Sequence, residues 1–333
     1  MKMNPRSTIR NLRLAAGVVL AAAAVLTAAC TGRVSRSLGL LREVSVVTGY
    51  QDEVEPLLRR ILQREIRTPQ PEPEFRLRFG GTDRFAALSR MRLVLVVGTA
   101  KDSLIRQILG PRADSLPDGE FGLFRFPNAW AANQWVVVFV AKDRMLLSDG
   151  LERYTARIHA TLTGVVFDQM TQATYLLGVN RELTDSIGQL GFTIDVPRKW
   201  LLRQEHSAER FIYMFGHAPD RSVFVYWQDS VGALSPERVI ELRDGLTGRF
   251  YNGDSVDRTA VVLDTFEFAG VPALRIRGVW QNRREVIGGP FVSYAFNLQG
   301  RFFLLDGLVY APGEKKLDRL FQVEAILRTF APR

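Results

Sequence analysis

Apolar residues recur along the chain at two spacings, every second position and every third or fourth, and the switches between them mark out the elements. Residues 43–50 (EVSVVTGY) alternate and are rich in β-branched side chains, which predicts a strand. Val54, Leu57, Leu58, Ile61, Leu62 and Ile66 then share one helical face. Asp52 is placed to cap that helix, with Glu55 closing a capping box. Pro56 is tolerated because it falls in the first turn. Arg59, Arg60, Arg64 and Arg67 gather in the C-terminal half, where the helix dipole favours cations. TPQPEPEF (68–75) carries prolines at alternate positions and predicts an extended connector. RLRF (76–79), RLVLVVGT (92–99), EFGLFRF (120–126) and QWVVVFVA (134–141) read as strands, the second central and buried, and 110–119 as a loop. Asp143 is a cap for a long helix carrying Leu147, Leu151, Tyr154, Ile158, Leu162, Val165 and Val166 inward, with a break expected near Gly164.

A second unit begins near Val179. Residues 180–190 predict a short helix, and GFTIDVPRKW (191–200) opens a strand-rich stretch. FIYMFGH (211–217) and SVFVYWQD (222–229) form a hairpin around APDR. Ser235-Pro236-Glu237 starts a helix that runs to about Phe250, with serine as cap and proline in the first position. Strands follow over 259–268, 272–281, 290–298 and 301–310, the last two joined by a tight turn at Gln299-Gly300. A final helix, 314–330, turns Leu317, Leu320, Phe321, Ile326 and Leu327 inward. Runs of strands flanked by helices predict an α+β protein of two units, 43–178 and 179–333, each a mainly antiparallel sheet packed against helices.

Charge changes this picture mainly at the start of the chain. The 333 residues carry 44 basic and 35 acidic side chains, a net +9. Lys2, Arg6, Arg10 and Arg13 supply four of the bases within residues 1–29, which contain no acid; without them the balance is 40 against 35, or +5. A mildly basic body with no recognition motif does not point to nucleic acid. Residues 14–29 (LAAGVVLAAAAVLTAA) are apolar or small, too few for a membrane span of about 20 residues. A charged start, an apolar middle and a small-residue end are the three parts of an export signal.

That signal ends directly on Cys30, the only cysteine. Thr27-Ala28-Ala29-Cys30 resembles the lipobox of bacterial lipoproteins, with Thr27 where leucine is usual. The resemblance implies cleavage before Cys30 and acylation of its thiol, so that residues 30–42 form a lipidated tether. Two or three acyl chains make a durable anchor where one is marginal. With Cys30 consumed, disulfides, thiolate catalysis and cysteine-ligated zinc are excluded. Thr31, in place of aspartate, implies the outer membrane by the same resemblance. Arg33, Arg36 and Arg42 are placed either to lie against anionic head groups or to be solvated.

RIRGVWQ (275–281), IGGPFVSYAF (287–296), DGLVYAPGEKKLDRLFQVEAIL (306–327) and PQPEPEF (69–75) resemble the DUF4837 family, bacterial proteins of unknown function that often carry lipoprotein signals, with the hallmark region at 270–330. The resemblance brings no catalytic residues. GFTIDVPRKW is similar to the opening strand of PsbP-like domains, which are α+β sandwiches.

Catalytic motifs are absent: no Walker loop, GxGxxG or GxSxG occurs. His159, His206 and His217 lack zinc-ligand spacing, and no metal site or cofactor is expected. GDSV (253–256) lies too late in the chain for an esterase nucleophile block. Asn252, Asp254 and Asp257 offer oxygen ligands without a calcium-loop spacing, so an Asx turn is the simpler reading. Gly288-Gly289-Pro290 reads as a glycine turn before a strand, or as bare backbone open to a ligand. Asp306, inside the apolar FFLLDGLVY, needs a partner, because a buried unpaired charge costs several kcal/mol. Arg275 and Arg277, alternate on a nearby strand, are the expected partners, with Glu285, Tyr294 and Trp280 close by; the cluster is either a ligand pocket or a structural ion pair. The expected protein is a lipid-anchored binding or scaffolding protein of the cell envelope, facing the periplasm, with the membrane and an envelope protein or polymer as partners. The alternative is a lipid-anchored hydrolase of envelope polymer.

Overall fold

The structure, a computed structural model, describes residues 35–333. The leader (1–29), Cys30 and Arg33 lie outside the described residues. Among the described residues no helix is long and apolar enough to cross a membrane.

The first unit contains β1 (Glu43–Thr48), α1 (Gln51–Leu62), β2 (Glu65–Ile66), β3 (Glu72–Pro73), β4 (Arg76–Gly80), α2 (Phe85–Leu88), β5 (Leu93–Thr99), α3 (Ser103–Leu109), β6 (Phe121–Pro127), β7 (Trp135–Ala141), α4 (Leu147–Arg153) and α5 (Thr155–Thr174). Five strands pair in the order β4-β1-β5-β7-β6. β4, β1, β5 and β7 run parallel, and only the edge strand β6 is antiparallel. Parallel neighbours need crossovers, and α1, α2 and α3 supply helical ones. The short α2 and α3 fall in segments that the spacing left unassigned.

The second unit contains α6 (Arg181–Gly188), β8 (Phe192–Thr193), β9 (Leu201–His206), β10 (Phe211–Gly216), β11 (Asp220–Asp229), α7 (Pro236–Phe250), β12 (Ser255–Val256), β13 (Val262–Phe268), β14 (Val271–Asn282), β15 (Ile287–Leu298), β16 (Arg301–Tyr310), α8 (Leu317–Leu327) and β17 (Ala331–Pro332). Its sheet, β12-β14-β15-β16-β11-β10-β9 with β13 alongside β14, is antiparallel throughout. The protein is therefore α+β with antiparallel pairing dominant, the parallel strands being confined to the first sheet. Gln299 and Gly300 both adopt positive φ, as the tight turn between β15 and β16 requires.

Side-chain alternation sorts the core into three regions. Val94, Val96, Val136 and Val138 face α2 and α3 on one side of the first sheet. Val44, Leu95, Val137 and Phe139 face α1, α4 and α5 on the other. That region continues without a break into α8 and the near face of the second sheet, and Phe167 of α5 stacks on Phe321 of α8 at 4.9 Å. The far face of the second sheet packs against α7 through Phe224, Ile276, Phe291 and Leu304.

Several local expectations change. Tyr50, not Asp52, occupies the cap of α1, and no side chain caps it; Glu55 instead binds Arg59 one turn on. The long helix breaks at Tyr154, whose hydroxyl donates to Asp118 at 2.6 Å, while Gly164 lies inside the intact α5. The proline-rich connector pairs with the segment that follows α1, as β2–β3, and packs inward, with Phe75 buried. Of GFTIDVPRKW only Phe192–Thr193 is strand, paired with the C-terminus. Gly288 and Gly289 form no turn: they lie within β15, where a Cβ on Gly289 would run into the Val309 carbonyl oxygen. The predicted tether is part of the fold from Ser35 onward. Arg42, assigned to head groups or solvent, is buried and binds Asp318 at 2.5 Å.

Candidate functional site

Asp306 is fully buried on β16, as its apolar neighbours imply, but its partner is not Arg275 or Arg277. Asp306 lies opposite Ser293 on β15, and Ser293 opposite Ile276 on β14. Arg275 and Arg277 are one step out of phase and so point to the other face of the sheet. Asp306 faces α7. There the fully buried Arg243 donates from Nε to Oδ2 at 2.6 Å and from Nη2 to Oδ1 at 3.3 Å, and the Ser293 hydroxyl donates to Oδ2 at 2.5 Å. The Arg243 guanidinium also sits 3.8 Å from the centroid of Phe291. Its Nη1 has no hydrogen-bond partner among the described residues.

Arg275 and Arg277 do meet each other, through Asp264 on β13. Arg275 grips that carboxylate at 2.8 and 2.7 Å, and Arg277 reaches it at 3.1 Å. Arg275 also reaches Glu324 on α8, which accepts from the Tyr294 hydroxyl at 2.6 Å and lies 3.4 Å from Arg328. Burial alone would raise the Glu324 carboxyl. The cations Arg328, Arg275 and Arg277 and the Tyr294 bond outweigh it and hold the group below its ordinary range. The expected single cluster is thus two, one on each face of the sheet, and both are structural ion-pair networks.

A recess of about 230 Å³ opens next to the Arg243–Asp306 pair, between β10–β11, the end of α7 and the β14–β15 hairpin. Tyr213, Tyr251 and Trp280 form aromatic walls, Arg203 and His217 stand at the mouth, and Asp254 lines it from the α7 side. Local backbone builds this arrangement. α7 ends at Tyr251, and Asn252 and Gly253 take positive φ to turn the chain back. Thr247 Oγ1 then donates to the Asp254 carbonyl at 2.8 Å, and Asn282 Nδ2 to the Asp254 carboxylate at 2.9 Å. Burial lifts the Asp254 carboxyl to about 6; the Asn282 bond and the charge of Arg243 oppose that rise, and Glu285 adds to it. The Tyr251 hydroxyl, raised by burial, lies 3.4 Å from Ser222 Oγ, and its ring is 4.3 Å from that of Tyr213. His217 is held by Asp220 at 2.7 Å, and Arg203 lies 5.3 Å over the Phe215 ring.

Of these residues the sequence pointed to Asp254 only as part of an Asx turn and to His217 only as a surface histidine. His159 is half-buried and meets Glu74 at 2.7 Å. Asp257 does form the expected turn, accepting from the Thr259 amide. Among the described residues no group of three or more His, Cys, Asp or Glu side chains is disposed to hold a metal. Two apolar grooves, about 310 and 510 Å³, flank the segment 231–236 ahead of α7.

No curated protein matches the chain. Among solved structures it is similar to a crystal structure from Bacteroides thetaiotaomicron VPI-5482 at 10% identity, over 43% of this chain and 45% of that one, with a TM-score of 0.28. The chain thus spans less than half the length of that protein. It is also similar to cyanobacterial PsbP (CyanoP) from Synechocystis sp. PCC 6803, at 8% identity over 44% of this chain and 88% of that one, TM-score 0.31. A third similar structure is LpqN, involved in cell envelope biogenesis of Mycobacterium tuberculosis, at 15% identity over 42% and 82% of the two chains, TM-score 0.29. Residues 37–174 match a family described as a domain of unknown function, DUF8532. The second unit matches another, also described as a domain of unknown function: residues 181–329 match the DUF4837 family.

Proposed function

We propose that this chain is a lipoprotein of the bacterial cell envelope, held through acylated Cys30 at the periplasmic face of the outer membrane, and that its second unit binds a small polar ligand or polymer end. The recess beside α7 carries the binding half of this reading. It joins aromatic walls, a cation at the mouth in Arg203 and a carboxyl in Asp254 that changes charge near neutral pH. A few polar groups converging on aromatic walls suit recognition of a small ligand. The lipobox supports the anchor, and mass spectrometry of protein from its native host tests it: an intact leader or an unmodified Cys30 would overturn it.

Binding is tested by native mass spectrometry against soluble fragments of cell wall and outer-membrane polysaccharide. Wild type is expected to retain a fragment that Arg203→Glu and His217→Ala, both at exposed positions, lose without a fall in melting temperature. Retention by the variants as well would remove the recess from the reading. Asp254 also favours a second reading, because a carboxyl titrating near pH 6 is suited to donate a proton to a leaving group. Recovery of a shortened fragment, dependent on Asp254, would mark the protein as a hydrolase.

A further inference from the structure

The chain enters the described fold at Ser35, five residues beyond Cys30. An extended chain spans at most about 3.6 Å per residue, so acylated Cys30 keeps Ser35 within roughly 18 Å of the anchor. The surface around Ser35 is therefore the part of the molecule that any lipid on Cys30 brings to the bilayer. Residues 35–38 do not trail away from the body. The Ser37 amide donates to the Ala132 carbonyl at 2.9 Å, the Ala132 amide to Ser35 at 3.0 Å, and the Leu38 amide to Arg90 at 3.0 Å. The entering chain is thus clamped between segments 89–92 and 127–135, at the ends where β5 and β7 begin.

Residues 35–41, 89–92 and 127–135 contain Arg36, Arg90 and Arg92 and not one Asp or Glu. Some surface arginines elsewhere pair with carboxylates, as Arg59 does with Glu55 and Arg106 with Asp114. Arg36 and Arg90 are exposed and have no carboxylate partner among the described residues. Arg92 keeps a buried Nε with no hydrogen-bond partner, and both burial and the nearby charge of Arg36 disfavour its cation. The same end exposes apolar side chains: Leu38 and Leu40 by about half, and Trp130 at its rim. Trp130 packs edge-on against Phe85 at 5.0 Å beside an apolar recess of about 310 Å³ that also takes in Ile108 and Phe126. Unpaired cations, exposed leucines and a rim tryptophan are the composition of a surface that rests among lipid head groups.

We propose that this end of the first sheet, formed by Arg36, Arg90, Arg92, Leu38 and Trp130, docks on anionic phospholipid head groups and fixes the orientation of the body on the membrane. The proposal rests on the anchor reading for its proximity to the bilayer and on the described residues for its chemistry. Docking here turns a tethered body into an oriented one.

The test uses the full protein purified from membranes and reconstituted into vesicles of phosphatidylcholine alone or of an equimolar mixture with phosphatidylglycerol. Tryptophan quenching by lipids brominated high on the acyl chain reads the contact. Trp200, Trp227 and Trp280 are buried in the second unit, and half-buried Trp135 lies at the start of β7, so Trp130→Phe made in a Trp135→Phe background assigns the signal. Quenching is expected in the anionic vesicles, lost in Trp130→Phe, and weakened in Arg36→Glu/Arg90→Glu, where each removed arginine costs roughly fivefold in contact at an anionic surface. Equal quenching in the two lipid mixtures, or none removed by charge reversal, would overturn the docking face while leaving the anchor intact. If mass spectrometry finds no acyl chain, the anchor reading falls, and flotation with the same vesicles still decides the face: attachment to anionic vesicles that charge reversal abolishes upholds it, and indifference to charge refutes it.

Discussion

At the scale of single residues, two buried carboxylates behave oppositely because their neighbours differ. Asp306 has a full guanidinium partner, so removing it alone strands the Arg243 charge at zero exposure. Asp306→Ala is expected to cost about 3–5 kcal/mol in urea denaturation, whereas Arg243→Met combined with Asp306→Leu returns close to wild type. A double variant as unstable as the single one would show that the pair is needed for more than charge neutrality. Asp254 has only the Asn282 amide, and burial raises its carboxyl from 3.8 to about 6. A raised acid binds its proton more tightly in the folded state, so stability is present at low pH and is lost as pH rises through 6. Asp254→Asn keeps an oxygen for Asn282 and removes the charge. It should melt higher than wild type at pH 7, and the gain should vanish below about pH 4. A gain that does not depend on pH would refute this assignment. That Asp306 needed a partner was legible from its apolar strand; which partner was not. Choosing between Arg243 and Arg275 requires the pairing register of three strands, and one step of register exchanges the faces.

At the scale of elements, helices with a clear apolar stripe, α1, α7 and α8, and the hairpins β10–β11 and β15–β16 could be read directly. Short α2 and α3 could not, since one or two turns give no periodicity to recognise. The parallel order of the first sheet was hidden for the same reason, because these short helices are two of its crossovers. The cap of α8 shows a further limit. Its first amides, Lys316 and Leu317, donate to Glu72 Oε1, more than two hundred residues earlier in the chain. A local search for caps finds only neighbours. Glu72→Ala removes an acceptor and a negative charge from the start of α8 and is expected to cost about 1 kcal/mol. Glu55→Ala, which breaks only exposed contacts with Arg59 and Gln51, should leave the urea midpoint unmoved. Equal shifts in the two variants would mean that Glu72 does not cap α8.

At the scale of the whole molecule, the two family matches meet across one core rather than through a flexible joint. Arg42, ahead of β1, donates to the carbonyls of Pro73 at 2.8 Å and Glu74 at 2.6 Å and to Asp318 on α8 at 2.5 Å, and it sits 5.6 Å over the Phe321 ring. Around it, Leu162, Val165, Val166 and Phe167 on α5 are buried against α8, with Arg328 lying 3.6 Å over Phe167. Cutting the chain between the units would expose that apolar face of α5 and the matching face of α8, and would leave Glu72 and Asp318 without their partners. The units should therefore unfold together. Calorimetry is expected to give one transition, with calorimetric and van't Hoff enthalpies equal. Arg42→Ala should lower that single transition without splitting it. Two resolved transitions in wild type, or a soluble, folded fragment ending at Gly178, would show that the shared core does not couple the units. If they do unfold as one, and if the first unit docks on the membrane as proposed, the recess of the second is held at a fixed height and direction.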